Sequence, residues 1–258
     1  MEYTDQYRSH YEEHGYVRLG RLLDAADLAE LQQRIDAIML GEIDCPGLDF
    51  QLDGDEAEYA KMPEVSPGHK GATLAYRKIM GLECDPLFLE YMQHPLFRQI
   101  TRRHIGADVS IFRAMFMNKP AREGTELQWH QDRWSYLDRD PQVTVWAALN
   151  DATIANGCVK IVPGSQDKLL NPDSGAGFLN SDQIDQLVAE VEPEYLELKA
   201  GEGVLLHNWL LHSSEVNSTE IPRRAFSVCY MDAATVSQRG HQWPIVFGEG
   251  SLTRASIA

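Results

Sequence analysis

Two histidines and an aspartate carry the first chemical signal in this chain. The stretch Trp129-His130-Gln131-Asp132 places an imidazole and a carboxylate two residues apart. On an extended strand, residues two apart face the same side. A second imidazole, His212 in Leu211-His212-Ser213-Ser214, comes from far downstream and would complete a three-point face. Two His and one carboxylate leave several positions open on a six-coordinate metal, which suits non-haem Fe(II) that must bind both O2 and an organic co-substrate. The same three side chains also suit a catalytic zinc, so the triad alone leaves the metal open.

Arg223 strengthens the iron reading. It stands eleven residues beyond His212, at the entry to a strand-like run. In an Fe(II) enzyme using 2-oxoglutarate, the C1 carboxylate and keto oxygen of the co-substrate chelate the metal. The distal carboxylate then needs a planar, bidentate cation, which arginine supplies. Neighbours on a strand face opposite ways, so only one of Arg223 and Arg224 points inward, and we assign that position to Arg223. His207 competes with His212 as the third ligand. It closes the apolar run Val204-Leu205-Leu206 and reads as a packed or supporting histidine, whereas polar, turn-prone residues follow His212, as at a barrel mouth. Gln131 points away from its two neighbours. His10, His14, His69, His94, His104 and His241 have no partner at ligand spacing and read as surface or core.

These residues must be positioned by a scaffold. The 258 residues allow one large β domain or two small ones, and 43% apolar content is enough for a sizeable core. Lys and Arg number 23 against 39 Asp and Glu, a net charge of −16 that argues against nucleic acid and anionic membranes as partners. Cys45, Cys84, Cys158 and Cys229 form no CxxC pair and suggest no disulfide framework; the last two sit in apolar runs and read as core. No signal peptide or membrane-length apolar run is evident, so a cytoplasmic enzyme acting on a small molecule is expected.

The first third reads as helical. Residues 4–14 form a short helix, Tyr16 to Leu19 a strand, and Asp24 caps an amphipathic helix with Leu28, Leu31, Ile35, Ile38 and Met39 on one face. Two more helices are expected at about 85–93 and 95–105, each opened by a proline. Before these two helices, residues 41–75 have little periodicity and read either as a lid or as a passive surface excursion. From 109 the period changes. Strands are expected at 109–118, 142–150, 157–162, 195–199, 203–207 and 225–231, with a polar loop at 120–128 and a helix or loop capped by Ser181 at 181–190. Strands after helices, with no linker or repeat, predict a single domain over residues 1–258: mainly β with flanking helices, a β-barrel or double-sheet jelly roll.

At this point the chain resembles a known family, the phytanoyl-CoA dioxygenases, which are Fe(II)/2-oxoglutarate oxygenases. The resemblance runs from His14-Gly15-Tyr16-Val17 to Asp232. It rests on the order and spacing of Met117-Asn118-Lys119-Pro120, His130-Gln131-Asp132, Trp146-Ala147-Ala148-Leu149, Asn156-Gly157-Cys158, Val162-Pro163-Gly164-Ser165 and His212-Ser213-Ser214 with Arg223. It implies a double-stranded β-helix, a cupin-like jelly roll. It also implies Fe(2+) held by His130, Asp132 and His212, with 2-oxoglutarate and O2 as co-substrates and Arg223 on the distal carboxylate. Lys78, Met115 and Trp146 match family positions near the co-substrate. One departure is Ser213, where glycine is usual. Asp132 fills the position that halogenating relatives leave to a small residue. Phe112, Arg113, Arg133, Trp134, Tyr136 and the 41–75 segment are candidates to line the substrate pocket. Two rivals stay open: a zinc hydrolase, which predicts a glutamate base nearby, and a catalytically inactive metal-binding barrel.

Overall fold

The helices start where side chains can cap them. In the computed structural model, which describes residues 2–53 and 63–257, α1 (Asp5–His14) opens with the Thr4 hydroxyl accepting from the Tyr7 N–H. After β1 (Tyr16–Arg21), Asp24 accepts from the N–H groups of Ala26 and Asp27 to open α2 (Ala25–Leu40), which buries Leu31, Ile35, Ile38 and Met39. Then follow β2 (Asp49–Leu52), β3 (Ser66–Pro67) and β4 (Tyr76–Met80). Helices α3 (Pro86–Met92) and α4 (Pro95–His104) each carry proline in the first turn, where its missing N–H costs nothing. The β-rich part comprises β5 (Val109–Lys119), β6 (Leu127–His130), β7 (Val143–Ala148) and β8 (Val159–Ile161). Helix α5 (Ser181–Glu190) interrupts it, and β9 (Glu194–Leu196), β10 (Glu202–His207), β11 (His212–Ser214), β12 (Arg223–Asp232) and β13 (Ile245–Phe247) complete it.

The strands form two antiparallel sheets. The larger runs β1-β10-β7-β12-β5-β4-β2-β3, with β13 also on β5; the smaller runs β6-β11-β8-β9. This is a double-stranded β-helix, as the family resemblance implies. The two faces of the large sheet have separate tasks. Val145, Ala147, Phe226, Val228, Ala114 and Phe116 face the helices and join the main core. The alternate residues Trp146, Ala148, Val204 and Ala225 face the small sheet and pack on Val159, Ile161 and Leu196. Burial on both faces explains why β7 and β12 read as almost unbroken apolar runs instead of alternating ones.

Three local expectations are corrected. The aperiodic 41–75 segment contributes β2 and β3 to the sheet edge: β4 offers β2 an unpaired row of backbone groups, and β2 in turn pairs with β3. The strand β4 itself escaped detection, since Tyr76-Arg77-Lys78 lacks an apolar alternation. Helix α5 is capped by Asn180, with Gln183 reciprocating, not by Ser181. The stretch 54–62 of the 41–75 segment lies outside the described residues.

Asp85 joins the helical layer to itself. Its buried carboxylate accepts from the N–H groups of Leu87 and Phe88 at the start of α3, and from Arg34 Nε of α2 at 2.6 Å. Asp85→Ala is expected to lower unfolding stability by about 2–4 kcal/mol, combining a lost cap with a broken buried pair. The exposed cap change Asp24→Ala should cost about 1 kcal/mol. Urea unfolding of both variants checks this, and equal losses would show that the Arg34 pair contributes nothing.

Candidate active site

The two imidazoles meet because β6 and β11 are neighbours in the small sheet, with His130 directly opposite His212. Their ring centroids lie 4.1 Å apart. Each ring is oriented by its own chain. His130 Nδ1 donates to the Gln128 carbonyl at 2.9 Å, and His212 Nδ1 donates to the Leu210 carbonyl at 2.8 Å. That assignment leaves both Nε2 lone pairs free to coordinate. Burial, then the neighbouring His212, pushes the His130 imidazole down to about 3, so it is neutral at pH 7. Its ring also stacks on Phe178, with centroids 4.9 Å apart.

Asp132 lies just beyond β6. Its backbone N–H donates to the Asn208 carbonyl at 2.7 Å, which ties it to the turn between β10 and β11. One carboxylate oxygen stands 3.9 Å from His130 Nε2, and ligand atoms of all three residues lie within 4.8 Å of one another. Gln131, between them, is fully buried and points away. Its amide donates to the carbonyls of Ser165, Lys168 and Trp209 and accepts from the Leu170 N–H. The Gly177 carbonyl also accepts from the Gln131 N–H. A Cβ on Gly177, at φ 74°, would sit 1.9 Å from the Gln131 carbonyl oxygen, so only glycine allows this approach.

The large sheet supplies the opposite wall. The triad opens onto a cavity of about 440 Å³ whose lining includes Lys78 on β4, Met115 on β5, Trp146 on β7 and Arg223 on β12. Cross-strand register explains their meeting: Ser227 pairs with both Trp146 and Met115, and Met117 pairs with Lys78. The seven residues expected at the metal and the co-substrate therefore border one space. Arg223 and Arg224 diverge as strand alternation requires. Arg224 faces the helices and pairs with Asp36 and Asn150. Arg223 faces the cavity at 3% exposure, its Nε and one Nη without any hydrogen-bond partner, 5.6 Å from the Trp146 ring. Burial draws its guanidinium down to about 10, still protonated at neutral pH. Lys78 makes no hydrogen bond or ion pair among the described residues; burial, then the Arg77 and Arg113 charges, pushes its ammonium down to about 7.

The pocket candidates divide. Arg113, Arg133, Trp134 and Tyr136 line the cavity, while Phe112 packs behind Trp134, with ring centroids 4.4 Å apart. None of the described residues of 41–75 reaches it. His207 contributes to the wall, but its Nδ1 accepts from the Trp209 N–H and burial pushes it down to about 4. Ser213 has no left-handed backbone; Arg122 is the one non-glycine at positive φ among the described residues, so the missing glycine costs no strain. Cys158 and Cys229 are buried, Cys229 at the cavity wall beside Asn208.

Sequence reasoning passed over Ser214 and Ser227, which line the cavity. Both were accessible to the period-two rule, two residues beyond His212 and four beyond Arg223. Phe178 and Gly177 had no such signal, because their loop reaches His130 only through tertiary packing.

Facing these residues, the donor set fits a metal with a dicarboxylate ligand. Two imidazoles and a carboxylate face the buried Arg223 N–H groups that lack partners, and such groups are costly unless a ligand satisfies them. A double-stranded β-helix with this triad defines a class, the non-haem Fe(II)/2-oxoglutarate-dependent oxygenases. Comparison with known proteins narrows it. The family model "Phytanoyl-CoA dioxygenase (PhyH)" matches residues 11–225, and the chain belongs to that family. It is 27% identical over 236 residues to a probable phytanoyl-CoA dioxygenase of Caenorhabditis elegans, covering 86% of this chain and 73% of the nematode protein. Among solved structures it is similar to EctD from S. alaskensis with 2-oxoglutarate and 5-hydroxyectoine, with a TM-score of 0.71 and 17% identity over 97% of this chain and 82% of that one. The non-haem alpha-ketoglutarate-dependent carbocyclase SnoK from nogalamycin biosynthesis gives a TM-score of 0.68 and 20% identity over 93% and 88%.

Proposed function

We propose that the protein hydroxylates a C–H bond of a small molecule, with His130, Asp132 and His212 holding Fe(II) and Arg223 receiving the distal carboxylate of 2-oxoglutarate. The observation that carries this is the buried Arg223 guanidinium, whose unpaired donors face the same cavity as the triad. Iron and 2-oxoglutarate, when bound, supply the oxidising power: O2 converts 2-oxoglutarate to succinate and CO2 and delivers one oxygen atom to the substrate C–H bond.

The chain's own part is positioning. The carbonyls of Gln128 and Leu210 fix both imidazole tautomers. Arg223 offers a planar fork to a carboxylate, and Trp146 beside it supplies a flat apolar wall. Lys78 adds a second N–H donor group, and Met115 lines the same cavity. The small-sheet residues Leu127 and Val159 also border the cavity and help keep water out. A zinc hydrolase needs a carboxylate base besides its ligands, yet Asp132 is the sole acidic side chain among the described lining residues. A pure binding barrel has no use for an unpaired buried arginine. We read the protein as one domain working in the cytoplasm on a small molecule, without nucleic acid or membrane. No helix among the described residues is long and apolar enough to cross a bilayer.

The test is anaerobic. Fe(II) and then 2-oxoglutarate are added to the purified protein, and the visible metal-to-ligand charge-transfer band is recorded. The band should appear, and admitting O2 with a substrate should release succinate. Bound iron without the band would overturn the assignment.

A further inference from the structure

The cavity's charge opposes that of the whole chain. Against a net charge of −16, its lining carries Lys78, Arg113, Arg133, Arg223 and Arg239, with Asp132 as the sole acid among the described residues. Four of these cations have an occupation or a place. Arg223 and Lys78 flank the triad, as argued above. Arg133 donates to the carbonyls of Pro172 and Ser174. Arg239 stands exposed at the rim over the Tyr136 ring, 4.3 Å from its centroid.

Arg113 remains. It follows the same face of β5 as Met115 and Met117, pairs across the ladder with Cys229, and lines the cavity. Its guanidinium lies 4.8 Å from the Trp134 ring centroid and 5.2 Å from that of Phe112. Among the described residues it makes no hydrogen bond and no ion pair. The two rings hold the group in place while its N–H donors stay open. They also make an organic cation a poor fit, since the guanidinium groups of Arg113 and Arg239 already occupy faces of Trp134 and Tyr136.

Resting on the dioxygenase reading, we propose that Arg113 anchors an anionic group of the prime substrate: the enzyme takes a small organic acid whose carboxylate or phosphoryl group binds Arg113 and whose apolar body lies against Trp134. Arg113 is thus a specificity residue, separate from the arginine that serves the co-substrate. The position suits this, because β5 carries it two residues from Met115, next to the triad cavity but off the Arg223 side.

Phenylacetate, phenylphosphonate and the neutral isostere phenylacetamide test the proposal. Each is titrated by tryptophan fluorescence into the full chain with Fe(II) and saturating 2-oxoglutarate under nitrogen. At least one acid should bind about tenfold or more tightly than the amide, the size expected of a charge-assisted contact. The tighter of the two acids identifies the anionic group as carboxylate or phosphoryl. Arg113→Gln should erase the preference, and Arg113→Lys should retain part of it. The 2-oxoglutarate affinity, read from the charge-transfer band of the same samples, should hold in both variants and so reports correct folding. Equal binding of acid and amide, absence of saturable acid binding, or a preference that survives Arg113→Gln would overturn the anchor. An acid preference that tracks Arg113 without any charge-transfer band would leave the anchor standing and overturn the dioxygenase reading instead.

Discussion

His130→Ala and Asp132→Ala variants should each lose Fe(II) affinity by more than about 100-fold, since removing even an outer partner of a metal ligand costs 10–100-fold. Turnover of 2-oxoglutarate should fall with it to the level of the metal-free protein. The geometry explains why neither loss is compensated. His130 and His212 are held in cross-strand register, and each ring is pinned through Nδ1 to a carbonyl two residues upstream. Asp132 is fixed by its backbone N–H to Asn208, and the lining offers no second carboxylate among the described residues. His207 is the one other imidazole on the wall among the described residues, and its Nδ1 is engaged by the Trp209 N–H. Fe(II) binding by calorimetry and succinate release measure the effect. Normal 2-oxoglutarate consumption in either variant would sink the triad. His130→Ala also removes a stack on Phe178, so circular dichroism of the metal-free protein must show the fold intact.

Arg223→Met should separate co-substrate binding from metal binding. Loss of a bidentate, charge-assisted pair in a buried site costs about 2–4 kcal/mol, or about 30- to 1000-fold in 2-oxoglutarate affinity. Fe(II) affinity should stay as it is. A second consequence follows from the empty guanidinium. An unpaired buried cation destabilises the protein that carries it, so without 2-oxoglutarate the Arg223→Met variant should melt no lower than the parent. Arg224→Ala should do the reverse. It breaks the contacts with Asp36 and Asn150, costing about 1 kcal/mol of stability, and leaves 2-oxoglutarate binding untouched. Exchange of these two phenotypes would place the inward face of β12 one residue off.

The stability pattern is the more diagnostic half of that comparison. Residues kept for folding are satisfied in the free protein, as Asp85 and Arg224 are. Arg223 keeps buried donors without partners, and Lys78 and Arg113 make no hydrogen bond or ion pair among the described residues, as expected of the ligand-binding roles proposed for them. The contrast between satisfied and unsatisfied charges separates scaffold from site across the same sheet.

Much of this was legible in the amino-acid order because it depends on period. The two-residue spacing paired His130 with Asp132, although β6 ends at His130 and the Asn208 carbonyl holds Asp132 in place; alternation along β12 chose Arg223 over Arg224 for the inner face. A cap at Asp24 and prolines at the starts of α3 and α4 announced three of the helices. These are local properties, settled by one residue and its near neighbours. Pairing between distant segments is not local, and there the chain order was silent. Nothing near Lys78 indicates that β4 lies beside β5 and brings that lysine to the cavity, nor that β2 and β3 extend the same edge. Nothing near Phe178 predicts its stack on His130. The free state of Arg113 is of the same kind. Its charge is plain from the sequence, but that no carboxylate among the described residues pairs with it, and that two aromatic rings hold it at the cavity wall, is decided only when the sheets close on one another.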